Sequence, residues 1–88
     1  MASFPAEFST RAGKEIKKLN NQVKSRILEK VDKLEQNPFP QEVEKVEDFD
    51  GEKVFRIRVG DFRILYVVRY NPPKLIVIKV DKRSRVYN

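Results

Sequence analysis

The sequence predicts an α+β fold in one domain spanning residues 1–88: two N-terminal antiparallel helices packed on one face of a mainly antiparallel sheet of about four strands. Three observations carry this expectation. Ile16, Leu19, Val23, Ile27, Val31 and Leu34 recur at intervals of three and four, an apolar helical stripe. Residues 55–66 read Phe-Arg-Ile-Arg-Val-Gly-Asp-Phe-Arg-Ile-Leu-Tyr, two alternating strands around Gly60-Asp61. Leu75-Ile76-Val77-Ile78 is a continuous apolar run, which suits a strand inside the sheet rather than at its edge.

Each element has a local reason. Ser3 to Phe8 is short and suits an edge strand. Ser9 or Thr10 can cap a helix beginning near Arg11. Asn20-Asn21 interrupts good helix formers and marks a turn between two helices. The lysines and glutamates between the apolar positions form a solvated face. Asn37-Pro38-Phe39-Pro40 ends the helical part, because proline lacks the amide hydrogen and restricts its predecessor. Glu42 to Asp48 is acidic and reads as a strand or an irregular connector. Asn71-Pro72-Pro73 is a further turn.

The hairpin can be registered from sequence. A two-residue turn at Gly60-Asp61 places Val59 opposite Phe62, Arg58 opposite Arg63, Ile57 opposite Ile64 and Arg56 opposite Leu65. Period-two alternation then puts Phe55, Ile57, Val59, Phe62, Ile64 and Tyr66 on one face, the expected core. Val54, Arg56, Arg58, Arg63, Leu65 and Val67 share the other. Like charges directly opposite cost stability, so three arginines on one face suit a fold in which that face meets an anion. A solvated basic strand is the plainer alternative. The last strand's parity depends on the turn before it. A three-residue loop aligns Arg63 with Asp81 and puts Arg83 on the Arg63 side; a four-residue loop reverses this.

Charge is distributed unevenly. The chain carries +6 overall. Residues 1–52 hold nine Lys/Arg against eleven Asp/Glu, whereas residues 53–88 hold ten against Asp61 and Asp81 alone. An excess confined to the strand-rich part points to a polyanion such as nucleic acid, or to an acidic partner. There is no cysteine and no histidine. Thiol chemistry and a Ser/His/Asp arrangement are thereby excluded, and neither a zinc site nor another cofactor is expected. No run approaches the ~18 apolar residues of a membrane span, and no secretory signal pattern opens the chain, so a cytoplasmic location is expected.

The chemistry left is that of arginines, lysines and one terminal tyrosine. Guanidinium groups grip phosphate oxygens in a fixed fork and stabilise a pentacovalent phosphorane. RNA carries its own nucleophile, the 2′-hydroxyl, so its cleavage needs little more. Tyr87 could take the proton if nearby cations lower its pKa from ~10. Arg83 could stabilise the leaving oxygen. Lys79, Lys82 and Arg85 supply further positive charge for the RNA backbone. A frayed aromatic end and a solvated basic tail are the plain readings of Tyr87 and of Arg83 with Arg85.

The hairpin at 55–66 closely resembles the signature hairpin of the RelE/ParE toxin superfamily. The order of helices, acidic connector, hairpin, strand and basic tyrosine-bearing end resembles it over nearly the whole chain. The resemblance implies a toxin of a type II toxin–antitoxin system: a ribosome-dependent endoribonuclease that cuts mRNA in the A site and is held inactive by a RelB-like antitoxin. By position, Arg56 and Arg58 match basic residues that contact RNA phosphates, and Arg63 matches the arginine on the scissile phosphate. Arg83, or Arg85 if the gap falls differently, matches the leaving-group arginine, and Tyr87 the proposed base. Two features depart from the RelE pattern. Lysines are usual where Arg56 and Arg58 stand, and Glu47 replaces a common basic residue. Glu47 solvates the connector, forms an ion pair, or acts as a base as glutamates do in some related toxins. The alternatives are a ParE-like protein that poisons DNA gyrase without cutting RNA, and a catalytically weak basic protein that mainly pairs with an antitoxin.

Overall fold

The computed structural model describes residues 3–46, 48 and 50–82. The element order is β1 (Ala6–Phe8), α1 (Thr10–Lys17), α2 (Asn21–Gln36), β2 (Glu44–Lys45), β3 (Phe55–Val59), β4 (Phe62–Tyr70) and β5 (Pro73–Lys82). The strands form one sheet in the order β1-β5-β4-β3-β2. Only β1–β5 is parallel; the other three pairings are antiparallel. The fifth strand beyond the sequence expectation is β2, formed by two residues of the acidic connector. The long run in β5 does lie inside the sheet, between β1 and β4.

The helix ends follow from their capping residues. The Ser9 side chain accepts the Ala12 amide hydrogen at 3.0 Å and caps α1. Its hydroxyl also donates to the Ile78 carbonyl at 3.1 Å, tying α1 to β5. Asn20 caps α2 by accepting from the Val23 amide at 2.9 Å. The helix ends at Gln36, directly before the Asn37–Pro40 segment.

The apolar stripe and one face of the sheet make the core. Ala12, Ile16, Ile27, Val31 and Leu34 pack with Ile57, Ile64, Tyr66, Leu75, Val77 and Val80 in one cluster. All six sheet residues of that cluster point to the helix side, so both helices cover one face. Tyr66 is fully buried, and its hydroxyl donates to the Pro38 carbonyl at 2.6 Å. That bond ties the segment after α2 onto the sheet, where the Phe39 ring also meets Phe55 edge-on at 5.0 Å.

The edge of β5 beyond β1 is completed by α1 rather than by a strand. The Glu15 carboxylate accepts the Val80 amide hydrogen at 2.8 Å, next to the Ser9 contact with Ile78. Backbone groups that a longer β1 would have bonded are thereby satisfied. At the opposite end of the sheet, Glu35 near the end of α2 accepts the Ala6 amide at 2.7 Å and anchors β1.

The β4–β5 register contains a shift. Tyr70 pairs with Pro73 across a two-residue turn, Asn71-Pro72, shorter than either loop length considered above. Between Leu65 and Tyr66 the register slips by one residue, leaving Ile78 without an opposite partner. This β-bulge restores the alignment of Arg63 with Asp81 that a three-residue loop would have given. The bulge also explains how Ile78 and Lys79 can both leave the core while Val77 and Val80 stay in it.

Candidate nucleic-acid interface

The face of the sheet turned away from the helices carries the arginines. The β3–β4 register is the one expected from sequence: Arg56 opposite Leu65, Arg58 opposite Arg63 and Val59 opposite Phe62. It is set by the Gly60-Asp61 turn, where Gly60 adopts a φ of +60° that a side chain would disfavour. Lys79 pairs with Leu65 and Asp81 with Arg63, so the bulge adds one cation and one carboxylate to this face. Lys82 pairs with Phe62 and is therefore on the other side, exposed at the end of β5. Arg83, Arg85, Tyr87 and Glu47 lie outside the described residues.

The three arginines stand in different environments. The Arg58 residue is exposed and, among the described residues, forms no ion pair. Arg63 is partly buried, and its Nε is shut off from solvent without any hydrogen-bond partner among the described residues. A buried donor left unpaired costs roughly 1–3 kcal/mol, and no described residue supplies the acceptor. Arg56 is engaged. Both its Nε, at 3.2 Å, and its Nη2 donate to the same carboxylate oxygen of Glu44. Lys79 reaches Asp81 at 3.5 Å, a looser exposed contact.

Glu44 is the functional-face residue that sequence reasoning missed. β2 pairs antiparallel with β3 and brings Glu44 directly opposite Arg56. Its carboxyl is held below the usual carboxylate range, first by the hydrogen bond from Arg56, then by that guanidinium's charge, with smaller contributions from Arg58 and Arg63. Burial opposes the shift by more than either Arg58 or Arg63 adds to it. The carboxylate thus sits in the combined field of all three arginines. The available signal was an acidic segment preceding an arginine-rich hairpin, but two residues of strand leave no periodicity to read.

Two further charged pairs lie toward the Asn71-Pro72 turn. Arg69 holds Glu52 through two hydrogen bonds at 3.0 and 2.8 Å, and Lys74 meets Glu7 at 3.1 Å. Arg69 and Lys74 lie on the same side of the sheet as Arg63, at the far end of β4 and β5. Among the described residues no helix is long and apolar enough to cross a membrane. An array of guanidinium groups on one sheet face, one with a donor unpaired among the described residues, can bind an extended chain of phosphates.

Known proteins share this fold and sequence. Residues 6–87 match the family described as ParE toxin of type II toxin-antitoxin system, parDE. RelE1 of Methanocaldococcus jannaschii is 31% identical over 85 residues, covering 96% of this chain and 94% of its own. RelE in the archaeal RelE–RelB complex of Pyrococcus horikoshii superposes with a TM-score of 0.81 at 28% identity, over 96% of this chain and 99% of that one. The isolated Escherichia coli RelE toxin shares the fold, with a TM-score of 0.76 at 24% identity over 96% of this chain and 88% of its own. The chain therefore belongs to the ParE toxin family within the RelE/ParE superfamily, and is a toxin of a type II toxin–antitoxin system.

Proposed function

We propose that this toxin is a ribosome-dependent endoribonuclease that cuts mRNA in the A site of the 30S subunit. The observation that carries the reading is Arg63, partly buried with an Nε that lacks an acceptor among the described residues, beside an exposed Arg58 that forms no ion pair among them. A fold tolerates such a group most readily where a phosphate completes it. In the proposed reaction the RNA 2′-oxygen attacks the adjacent phosphorus as its proton is removed. The bond to the 5′-oxygen then breaks, leaving a 2′,3′-cyclic phosphate and a 5′-oxygen that takes a proton from water to become a hydroxyl. Arg63 stabilises the charge on the phosphorane, and Arg56, Arg58 and Lys79 hold flanking phosphates. Tyr87 is proposed as the base and Arg83, or Arg85, as the group that stabilises the leaving oxygen. Lys82 contributes backbone attraction from the other side of the sheet, and Arg85 is proposed to add positive charge for the RNA backbone.

The partner is proposed to be a RelB-like antitoxin, since the Pyrococcus horikoshii relative was solved as a RelE–RelB complex. A reaction on translating ribosomes places the protein in the cytoplasm. A second reading, inhibition of DNA gyrase without RNA cleavage, is favoured by the match to the ParE model. One experiment separates them. Ribosomes programmed with a defined message are given the toxin, and the message is mapped for cuts alongside a gyrase supercoiling assay. Codon-dependent cuts that vanish with Arg63→Ala or Tyr87→Phe support the first reading. Intact message with blocked supercoiling establishes the second.

A further inference from the structure

We propose that Glu44 is an internal counter-anion that occupies Arg56 and is displaced only when a polyanion also engages Arg58 and Arg63, so that it weakens and filters anion binding at this face. The proposal rests on the reading of the arginine face as a phosphate-binding surface. Three observations lead to it. Glu44 takes two donors of Arg56 on a single oxygen, which removes from solution the fork that would otherwise grip phosphate. The Glu44 side chain is 63% exposed on a two-residue edge strand, and its only hydrogen-bond partner among the described residues is Arg56. An ion pair with so much solvent access exchanges readily. Arg58 and Arg63, by contrast, have no such carboxylate among the described residues.

The arrangement implies an order of engagement. A single phosphate near Arg56 must compete with a covalently tethered carboxylate, whose effective concentration is high. A chain of phosphates anchored on Arg58 and Arg63 presents its next phosphate to Arg56 at a comparable effective concentration and displaces Glu44. Glu44 therefore acts through Arg56 as a specificity-determining residue. It penalises short anions more than long ones.

The test follows the arginine side chains themselves. The Nε–H signals of Arg56, Arg58 and Arg63 are recorded by nitrogen-15 NMR while the toxin is titrated with inorganic pyrophosphate or with an uncleavable single-stranded deoxyoligonucleotide. In the wild type, pyrophosphate should move Arg58 and Arg63 at concentrations several-fold below those that move Arg56, while the oligonucleotide moves all three together. Glu44→Gln keeps the edge strand but removes the charge. It should bring the Arg56 response into line with the others for pyrophosphate and tighten that ligand several-fold, with a much smaller gain for the oligonucleotide. In an Arg56→Ala background, Glu44→Gln should give little of this gain. The proposal is overturned if Arg56 responds together with the others in the wild type, if Glu44→Gln weakens binding, or if no arginine signal moves. Because neither probe can be cleaved, the result stands apart from the enzymatic reading. Ordered engagement with intact ribosomal message would sink the nuclease alone, and cleavage without ordered engagement would sink the counter-anion alone.

Discussion

Replacing Arg63 by methionine should stabilise the toxin while removing its activity. The reasoning starts from the Nε that is closed to solvent and lacks a partner among the described residues. Leaving such a donor unpaired costs roughly 1–3 kcal/mol. Arg63 as a residue is only partly buried, so the low end of that range applies. Arg58 stands directly across the strand pair, and opposed like charges add a few tenths of a kcal/mol of strain. Methionine preserves the aliphatic stem that packs on the sheet while discarding both penalties. The net gain is about 1 kcal/mol, which for a domain of this size raises Tm by roughly 4–8 °C. Thermal unfolding at low and high salt provides the assay. The advantage should shrink in high salt, where the repulsion is screened, yet persist, because an unpaired donor is indifferent to ionic strength. A fall in Tm of similar size would refute the argument, since it would show Arg63 to be a structural residue.

Further predictions follow from the same geometry. Tyr66→Phe strands the Pro38 carbonyl without its buried donor and should cost about 1–2 kcal/mol in urea unfolding, with anion binding unchanged. The Tyr66 hydroxyl is pushed well above its ordinary pKa of 10.0, chiefly by burial. The unfolded phenol therefore ionises first, stability contributed by this group is full below pH 10 and lost above it, and the wild type should show an alkaline decline that Tyr66→Phe lacks. Glu44 and Glu52 have carboxyls lowered below 4.5 by hydrogen bonds from Arg56 and Arg69 respectively. Their stabilising contribution is complete above that value and is lost as pH falls through the lower folded values. Replacing both by glutamine should flatten the acid side of a Tm-versus-pH curve by slightly lowering its neutral plateau, the two proteins converging in acid.

Much of the fold was legible because period and turn chemistry agreed. The helical stripe was read correctly from Ile16 to Leu34, and Gly60-Asp61 fixed the hairpin register residue by residue. That register alone puts Arg56, Arg58 and Arg63 on one face. The bulge at Ile78 was not legible. An unbroken apolar run hides where alternation slips, and the alignment of Arg63 with Asp81 arises from a shorter turn plus one extra residue. The Glu44–Arg56 pair was equally hidden, since a two-residue strand is defined by its neighbour and not by its own pattern. Lys82 illustrates the reverse problem: its charge made it a candidate, while the register after the bulge assigns it to the other side of the sheet. The readings of Arg83, Arg85, Tyr87 and Glu47 fall outside the described residues and rest on resemblance and chemistry.

The central claim is that the arginine face exists to hold the phosphates of ribosome-bound RNA. Its most direct test compares wild-type toxin with Arg63→Met on ribosomes paused with a defined codon in the A site, mapping the ends of the message. The account predicts cuts at the A-site codon with wild type and a loss of at least a hundredfold in cleavage rate with the variant, despite its equal or higher thermal stability. Undiminished cleavage by Arg63→Met would contradict it.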